Sequence, residues 1–118
     1  MDELTAQGTT FTVAELLAQR AAVGRAYLEF LRVPHLSAGL YVLAPGAVDG
    51  QAPHTEDELY FVLSGEGQLR VGDHNSSVGA GALCFVPAHV PHTFHSVREE
   101  LRLLVVFGPA ERVVSTPR

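Results

Sequence analysis

From residue 27 onward, short apolar segments alternate with turn-forming residues along the chain. Seven segments have the length and composition of β-strands, and they cover residues 27–32, 37–43, 58–63, 67–71, 82–86, 92–97 and 101–107. Turn signals such as Ser64-Gly65 and Gly72-Asp73 separate them. Because no helix-length segment lies between these strands, the pattern predicts an antiparallel sandwich or barrel rather than a parallel α/β fold.

The residues before the first strand follow a helical pattern instead. Thr12 is followed by Glu15 and then by several leucine and alanine residues, which is the signature of a helix that begins with a capping box. Gly24 suits the end of such a helix. The sequence therefore predicts one short helix over residues 12–23, ahead of an otherwise all-β domain.

Composition and charge narrow the possible partners. The 118 residues are enough for one core, and 47% of them are hydrophobic. The formal net charge is −5 and no basic stretch is interleaved with aromatic residues, so a nucleic acid is not an expected partner. No apolar run approaches the ~20 residues that cross a bilayer. The single cysteine, Cys84, fits a reducing compartment, and we expect a cytoplasmic protein with no membrane partner.

Histidines and carboxylates cluster in two parts of the chain. His54 lies just before the acidic residues 56–58, and residues 89–95 contain three further histidines. Neutral imidazole and ionised carboxylate are the usual ligands of Zn, Fe, Mn, Ni and Cu ions. The clustering therefore indicates a metal site. Isolated histidines near turns are more often solvated or hydrogen-bonded, and His35 and His74 are interpreted in that way.

Strand parity indicates which of these side chains can meet, because residues two apart point to the same face of a strand. In an extended segment, His54 shares a face with Glu58 and Tyr60. On the later strand His92 shares a face with residues 94 and 96, whereas His95 points the other way with residues 93 and 97. Only one histidine of this second pair can therefore enter a given pocket.

Two segments resemble the motifs of the cupin family, which are small double-stranded β-helix proteins. The first cupin motif has the form G-x5-H-x-H-x3-E-x6-G, and the residues at its positions are Gly46, Ala52, His54, Glu58 and Gly65. The second motif has the form G-x5-P-x-G-x2-H-x3-N, and the residues at its positions are Gly81, Pro87, His89, His92 and Ser96. The resemblance implies an all-β fold, a cupin-like double-stranded β-helix (jelly-roll barrel) with a short N-terminal α-helix.

The same resemblance implies one cupin domain over residues 1–118. It consists of an N-terminal segment at 1–24, a barrel at 25–110 and a C-terminal tail at 111–118. In metal-dependent cupins the ligands are the two histidines and the glutamate of the first motif and the histidine of the second. Carried over residue by residue, this implies that His54, Glu58 and His92 hold a divalent ion (Fe, Mn, Ni or Zn). Ala52 occupies the position of the remaining histidine.

Five neighbouring residues are candidates for the rest of the pocket, and Ala52 is one of them as a pocket-lining position. Gln51 adjoins the position without a ligand, and Glu56 has the strand parity of His54, so each is a candidate substitute ligand. Tyr60 and Phe94 are expected to line the pocket. Tyr60 is the candidate catalytic residue, since its hydroxyl can donate a hydrogen bond or act as an acid.

Several functions are compatible with these residues. The first is a metal-dependent enzyme acting on a small organic molecule, of the dioxygenase, isomerase or lyase type. The second is a barrel that binds a small ligand or a metal without turnover, as a sensor or accessory protein, and the missing histidine favours it. The third is a metal-free barrel with hydrogen-bonded histidines. Fold alone does not decide between them.

The apolar N-terminal residues bear on assembly. Phe11, Leu16, Tyr27 and Phe30 present more apolar surface than one small barrel requires, and the edges of such sheets often pair. We therefore expect a homodimer. The alternative is that this segment folds back over its own barrel.

Overall fold

The computed structural model describes residues 8–112, so residues 1–7 of the predicted N-terminal segment and 113–118 of the predicted C-terminal tail lie outside the described residues. Within 8–112 one α-helix and six β-strands follow each other, namely α1 (Val13–Val23), β1 (Tyr27–Val33), β2 (Leu36–Leu43), β3 (Asp57–Val71), β4 (His74–Gly79), β5 (Leu83–Val86) and β6 (His92–Gly108). All strand pairs are antiparallel, in the order β1-β2-β6-β3-β4, and β5 pairs with β3. The all-β fold with a short N-terminal helix is thus confirmed.

Helix α1 begins and ends at the predicted residues. The Glu15 N–H donates to the Thr12 hydroxyl at 3.2 Å, which caps the first turn. Gly24 takes a left-handed conformation and its N–H donates to the Arg20 carbonyl, which ends the helix. Leu16 is the buried residue of α1, and the helix packs on β1 and β2. No helix among the described residues is long and apolar enough to cross a membrane.

Strands β3 and β6 are longer than predicted, because predicted pairs of strands merge. The predicted turn at Ser64-Gly65 is instead an irregular part of β3, where the register with β6 shifts between Val62 and Gln68. Gly65 has a φ of 98°, and a Cβ there would lie 2.6 Å from the Glu100 carbonyl carbon, with the carbonyl oxygen nearer still. Only glycine fits this close approach of two strands.

Strand β4 was not among the predicted strands. Its sequence is polar and only Val78 is buried, so it lacks the apolar pattern that predicts a strand. It forms because the two-residue turn Gly72-Asp73 folds the chain back on β3, pairing Val71 with His74. The turn sequence, rather than the burial of apolar side chains, therefore determines that this edge strand forms.

The core lies inside the curled sheet and contains side chains from β1 to β6. Its largest fully buried members include Tyr41, Tyr60, Phe94 and Phe107. Predicted parity holds for Glu58 and Tyr60, which both point inward. It fails after Ser96, whose φ of 50° interrupts the alternation, so that Val97 is buried in the core instead of pointing outward.

The N-terminal segment packs on the barrel of its own chain. Leu16 and Tyr27 are buried, and Tyr27 belongs to the core cluster. The Phe11 and Phe30 rings meet edge to face with centroids 4.9 Å apart. These contacts cover part of the surface on which the dimer expectation rests, and the homodimer stays a prediction.

Candidate metal centre

A loop and two strand ends bring the candidate ligands together. Glu58 is near the start of β3, His92 is the first residue of β6, and His54 precedes β3. Along the β3–β6 ladder, Glu58 pairs with Phe107 whereas His92 pairs with Val71, so the two side chains belong to opposite ends of the ladder. The sheet curls far enough that His92 Nε2 lies 3.0 Å from Glu58 Oε1.

The spacing of the three side chains suits one ion. His54 Nε2 lies 3.8 Å from Glu58 Oε1, and one ligand atom from each of His54, Glu58 and His92 lies within 4.8 Å of the others. Donors held at about 2.1 Å from one ion are about 3.0 to 3.6 Å apart for angles of 90° to 120°. The 3.0 and 3.8 Å spacings are within a few tenths of an ångström of that range.

The three side chains of this cluster are almost completely buried. Only 5% of the His54 side chain and 1% of the Glu58 and His92 side chains are exposed. Among the described residues, neither Glu58 carboxylate oxygen nor His92 Nε2 has a hydrogen-bond partner, because their 3.0 Å contact lacks hydrogen-bond geometry. A buried carboxylate without partners is costly unless a cation neutralises it. The donor set therefore fits a divalent metal ion.

Both histidines have their second ring nitrogen beside an acceptor. His92 Nδ1 lies 3.0 Å from the Val90 carbonyl oxygen, and His54 Nδ1 lies 3.1 Å from Glu111 Oε2. An Nδ1–H that donates to these acceptors leaves the lone pair on Nε2, which points at Glu58. Such an arrangement fixes the tautomer that binds metals through Nε2.

Glu111 contributes to the site although its sequence context does not indicate it. The predicted C-terminal tail begins at this residue, yet its side chain is fully buried. Its N–H donates to the Ser37 hydroxyl at 2.8 Å, and its carbonyl accepts from the Arg32 guanidinium at 2.6 Å. No local pattern predicts this, because the contacts join Glu111 to β1, β2 and His54 only in the folded chain.

Tyr60 lies beside the cluster and keeps its proton. Burial, together with the charge of Glu58, raises the pKa of Tyr60 well above its ordinary value of 10.0. Its hydroxyl donates to Gln51 Oε1 at 3.1 Å, and its ring packs edge to face on Phe94 with centroids 4.8 Å apart. The Tyr60 ring also lies near His92, with centroids 6.2 Å apart, so the buried Phe94 borders the cluster through its contact with Tyr60.

The two candidate substitute ligands are placed differently. Gln51 Oε1 lies 3.1 Å from His54 Nε2. Glu56 is buried but accepts hydrogen bonds from the Thr55 hydroxyl and the Arg112 N–H, and it is not among the described side chains whose ligand atoms converge. Ala52 is exposed. Of the candidates, Gln51 is therefore the one that contacts a ligand histidine, His54.

Three of the four remaining histidines are exposed, whereas His95 is half-buried within β6. His35 and His74 are exposed, at a turn and at the start of β4. His89 is also exposed, and its φ of 68° is unusual for a residue with a side chain. Its N–H donates to the His54 carbonyl at 2.6 Å, so the backbone of His89 holds the loop that carries a candidate ligand.

The chain is similar in sequence to known proteins. The family described as Cupin domain matches residues 39–107. An uncharacterized protein of Streptomyces coelicolor, SCO3923, is 50% identical over 101 residues, which are 86% of this chain and 96% of that protein. Sequence similarity therefore extends over most of the chain.

Solved structures are similar over the barrel. A RmlC-like cupin from Shewanella frigidimarina is 24% identical with a TM-score of 0.66, over 73% of this chain and 77% of that one. An oxalate decarboxylase variant from Bacillus subtilis is 26% identical with a TM-score of 0.61, over 65% of this chain but only 22% of that larger one.

Proposed function

The chain belongs to the cupin family, and on that premise we propose that it is a metal-dependent enzyme acting on a small organic molecule. One divalent ion is held by His54, Glu58 and His92. The observation that carries the proposal is the Glu58 carboxylate, which is 1% exposed, lies 3.0 Å from His92 Nε2 and has no hydrogen-bond partner among the described residues. A cation between these ligand atoms satisfies all of them at once.

The bound ion would supply a Lewis acid with positions left open for water or substrate, since these three side chains fill only part of its coordination sphere. The protein's own groups prepare the site. Glu111 holds the Nδ1–H of His54, and the Val90 carbonyl holds that of His92. Tyr60 keeps its hydroxyl proton and can donate it in a hydrogen bond to a substrate oxygen.

The class of reaction is proposed as dioxygenase, isomerase or lyase. Two histidines and one carboxylate suit Fe, Mn, Ni or Zn, whose chemistries differ. The structural similarity to a decarboxylase supports the lyase type.

A binding function without turnover is the second candidate. The near-complete burial of His54, Glu58 and His92 favours it, because a substrate needs access to the ion. In this case the barrel holds a metal or small ligand as a sensor or accessory protein.

Metal content measured by elemental mass spectrometry tests the proposed site. Protein purified without chelators and without a His tag should contain about one equivalent of Fe, Mn, Ni or Zn, and His92→Ala should contain almost none. His74→Ala, which changes an exposed histidine, is the matched control and should retain the metal. No metal in the wild-type protein after reconstitution would refute the proposal. If the wild-type protein does contain metal, turnover of small organic acids that is lost on chelation would identify an enzyme. Bound metal without such turnover would identify a binding module.

Metal affinity should fall as the pH is lowered. Burial lowers the pKa of His92, but the adjacent Glu58 carboxylate and the Val90 carbonyl outweigh this effect, so the pKa is raised from its ordinary value of 6.5. A proton then competes with the metal for Nε2 as soon as the pH falls through this raised pKa, whereas affinity is full above it. Titration calorimetry with Zn²⁺ between pH 8 and pH 5 should show about one decade of lost affinity per pH unit for each histidine that must deprotonate. A flat profile would contradict histidine ligation.

Glu111→Gln should weaken metal binding by about 10- to 100-fold, as loss of a carboxylate behind a ligand histidine typically does. The amide keeps the volume of the side chain but no longer fixes the tautomer of His54 by charge. The measurement is the Zn²⁺ dissociation constant at pH 8. Glu66→Gln, which changes a half-exposed partner of Arg98, should leave it unchanged. Equal affinity in wild type and Glu111→Gln would show that the His54 contact does not matter for the metal.

A further inference from the structure

The residue that precedes the first-motif position without a histidine has its side chain beside the cluster. Ala52 is exposed and offers no ligand atom, whereas the preceding residue, Gln51, turns its amide toward the cluster. Gln51 Oε1 lies 3.1 Å from His54 Nε2 and 3.1 Å from the Tyr60 hydroxyl. Two ligand atoms at right angles around one ion are about 3.0 Å apart. The 3.1 Å separation of Gln51 Oε1 from His54 Nε2 is close to that distance.

Asp49 fixes which end of the Gln51 amide faces the site. The Gln51 Nε2 group donates to both carboxylate oxygens of Asp49, at 2.9 and 3.0 Å. Asp49 is buried and is held in turn by the Tyr41 hydroxyl at 2.7 Å and the Phe94 N–H at 2.9 Å. Because the nitrogen end of the amide is committed to Asp49, the oxygen end must face His54 and Tyr60.

The contact between Gln51 and His54 is a hydrogen bond only if His54 Nε2 carries a proton. In the tautomer whose Nδ1–H donates to the Glu111 carboxylate, 3.1 Å away, Nε2 carries none. Nε2 is then an acceptor, and so is Gln51 Oε1. Two acceptors 3.1 Å apart in a buried site repel each other unless a cation binds both.

Building on the metal site proposed above, we propose that the amide oxygen of Gln51 is a fourth protein ligand of the ion, oriented by Asp49. The ligand set is then two imidazole nitrogens, one carboxylate oxygen and one neutral amide oxygen. Replacing an imidazole by an amide oxygen favours harder ions such as Mn²⁺ and Fe²⁺ over Cu²⁺ and Zn²⁺, compared with a site of three histidines and one glutamate.

Metal-binding measurements on Gln51→Ala test the assignment. Dissociation constants for Mn²⁺ and Zn²⁺ at pH 8, measured by calorimetry, should rise about 10- to 100-fold. Gln19→Ala, on the exposed face of α1, is the matched control and should bind like the wild type. In the Co²⁺-loaded proteins, the visible absorption bands should shift in Gln51→Ala but not in Gln19→Ala, because only the former changes a ligand.

A charge exchange separates ligation from a folding defect. Asp49→Asn alone should weaken binding about tenfold, since the amide of Gln51 loses its charged acceptor. The double variant Asp49→Asn with Gln51→Glu restores the hydrogen bond in reversed sense and keeps an oxygen at the ion. It should recover affinity to within about threefold of the wild type. Melting temperatures of the metal-free variants show whether each is folded.

The outcomes distinguish this proposal from the one on which it rests. If wild type binds no metal, the proposed function fails and the Gln51 ligand fails with it. If wild type binds metal but folded Gln51→Ala has the same affinity and the same Co²⁺ spectrum, only the Gln51 ligand is overturned. A double variant that is folded yet binds no better than Asp49→Asn would also overturn it.

Discussion

Glu58→Gln is expected to abolish metal binding while stabilising the metal-free protein. Loss of the only carboxylate in the proposed ligand set should raise the metal dissociation constant at least about 1000-fold, because a neutral amide binds divalent ions far less strongly than a buried carboxylate. In the metal-free protein the effect has the opposite sign. The wild-type carboxylate is buried without a hydrogen-bond partner among the described residues, whereas the introduced amide N–H can donate to His92 Nε2, now 3.0 Å from Oε1.

The gain in the free energy of unfolding should be about 1–3 kcal/mol at pH 8, the usual cost of an unsatisfied buried polar group. Urea denaturation of the chelator-treated proteins measures it, and calorimetry measures the metal affinity. Glu99→Gln, at an exposed position of β6, should change neither quantity. If metal-free Glu58→Gln is less stable than the metal-free wild type, the Glu58 carboxylate stabilises the fold without a cation, and the prediction is wrong.

Gly65→Ala is expected to cost about 3–5 kcal/mol of stability, a large part of the 5–15 kcal/mol typical of a domain. Gly65 has a φ of 98°, and an added Cβ would lie 2.6 Å from the Glu100 carbonyl carbon and 2.8 Å from the Leu101 Cα. Both are backbone atoms, so no side-chain rotation relieves the overlap. Strands β3 and β6 must move apart where their register already shifts.

Gly46→Ala separates the two causes of this loss. Gly46 also has a positive φ, 77°, but nothing lies within 4 Å of an added Cβ. It should therefore cost only about 1–2 kcal/mol, the penalty of the left-handed conformation. Denaturation of the metal-free proteins, followed by circular dichroism, gives both values. If Gly65→Ala is no worse than Gly46→Ala, the close approach of β3 and β6 relaxes freely and contributes nothing.

Local patterns predicted much of the barrel and missed its irregular parts. The alternation of apolar residues identified the segments of β1, β2 and β5, and Thr12 with Glu15 identified the start of α1. The pattern did not reveal that β3 continues through Ser64-Gly65, because a positive φ suits a turn as well as a bulge. It also did not reveal that β6 continues through residues 98–100, which carry charged rather than apolar side chains. The pattern did not predict the polar strand β4, because β4 is stabilised by pairing with β3 and not by burial.

The sequence predicted the three candidate ligands of the site but not which neighbouring residue accompanies them. Motif spacing indicated His54, Glu58 and His92, whose residue types suit a metal ion whatever their surroundings. Gln51 and Glu56 had equal standing by sequence. The Gln51 amide donates to Asp49, whereas Glu56 accepts from the Arg112 N–H, and these contacts distinguish the two. They depend on tertiary structure, because Asp49 is itself held by the Phe94 N–H and Glu56 bonds a residue 56 positions away.

By itself the sequence determined an all-β cupin domain with one N-terminal helix, since strand periodicity, caps and motif spacing are properties of neighbouring residues. Only the tertiary structure decided that Glu58 and His92 meet, because they lie at opposite ends of the β3–β6 ladder and the curl of the sheet closes the gap to 3.0 Å. It also decided that Glu111 fixes His54. Both contacts arise from barrel closure, which brings distant segments together and has no signature within either segment.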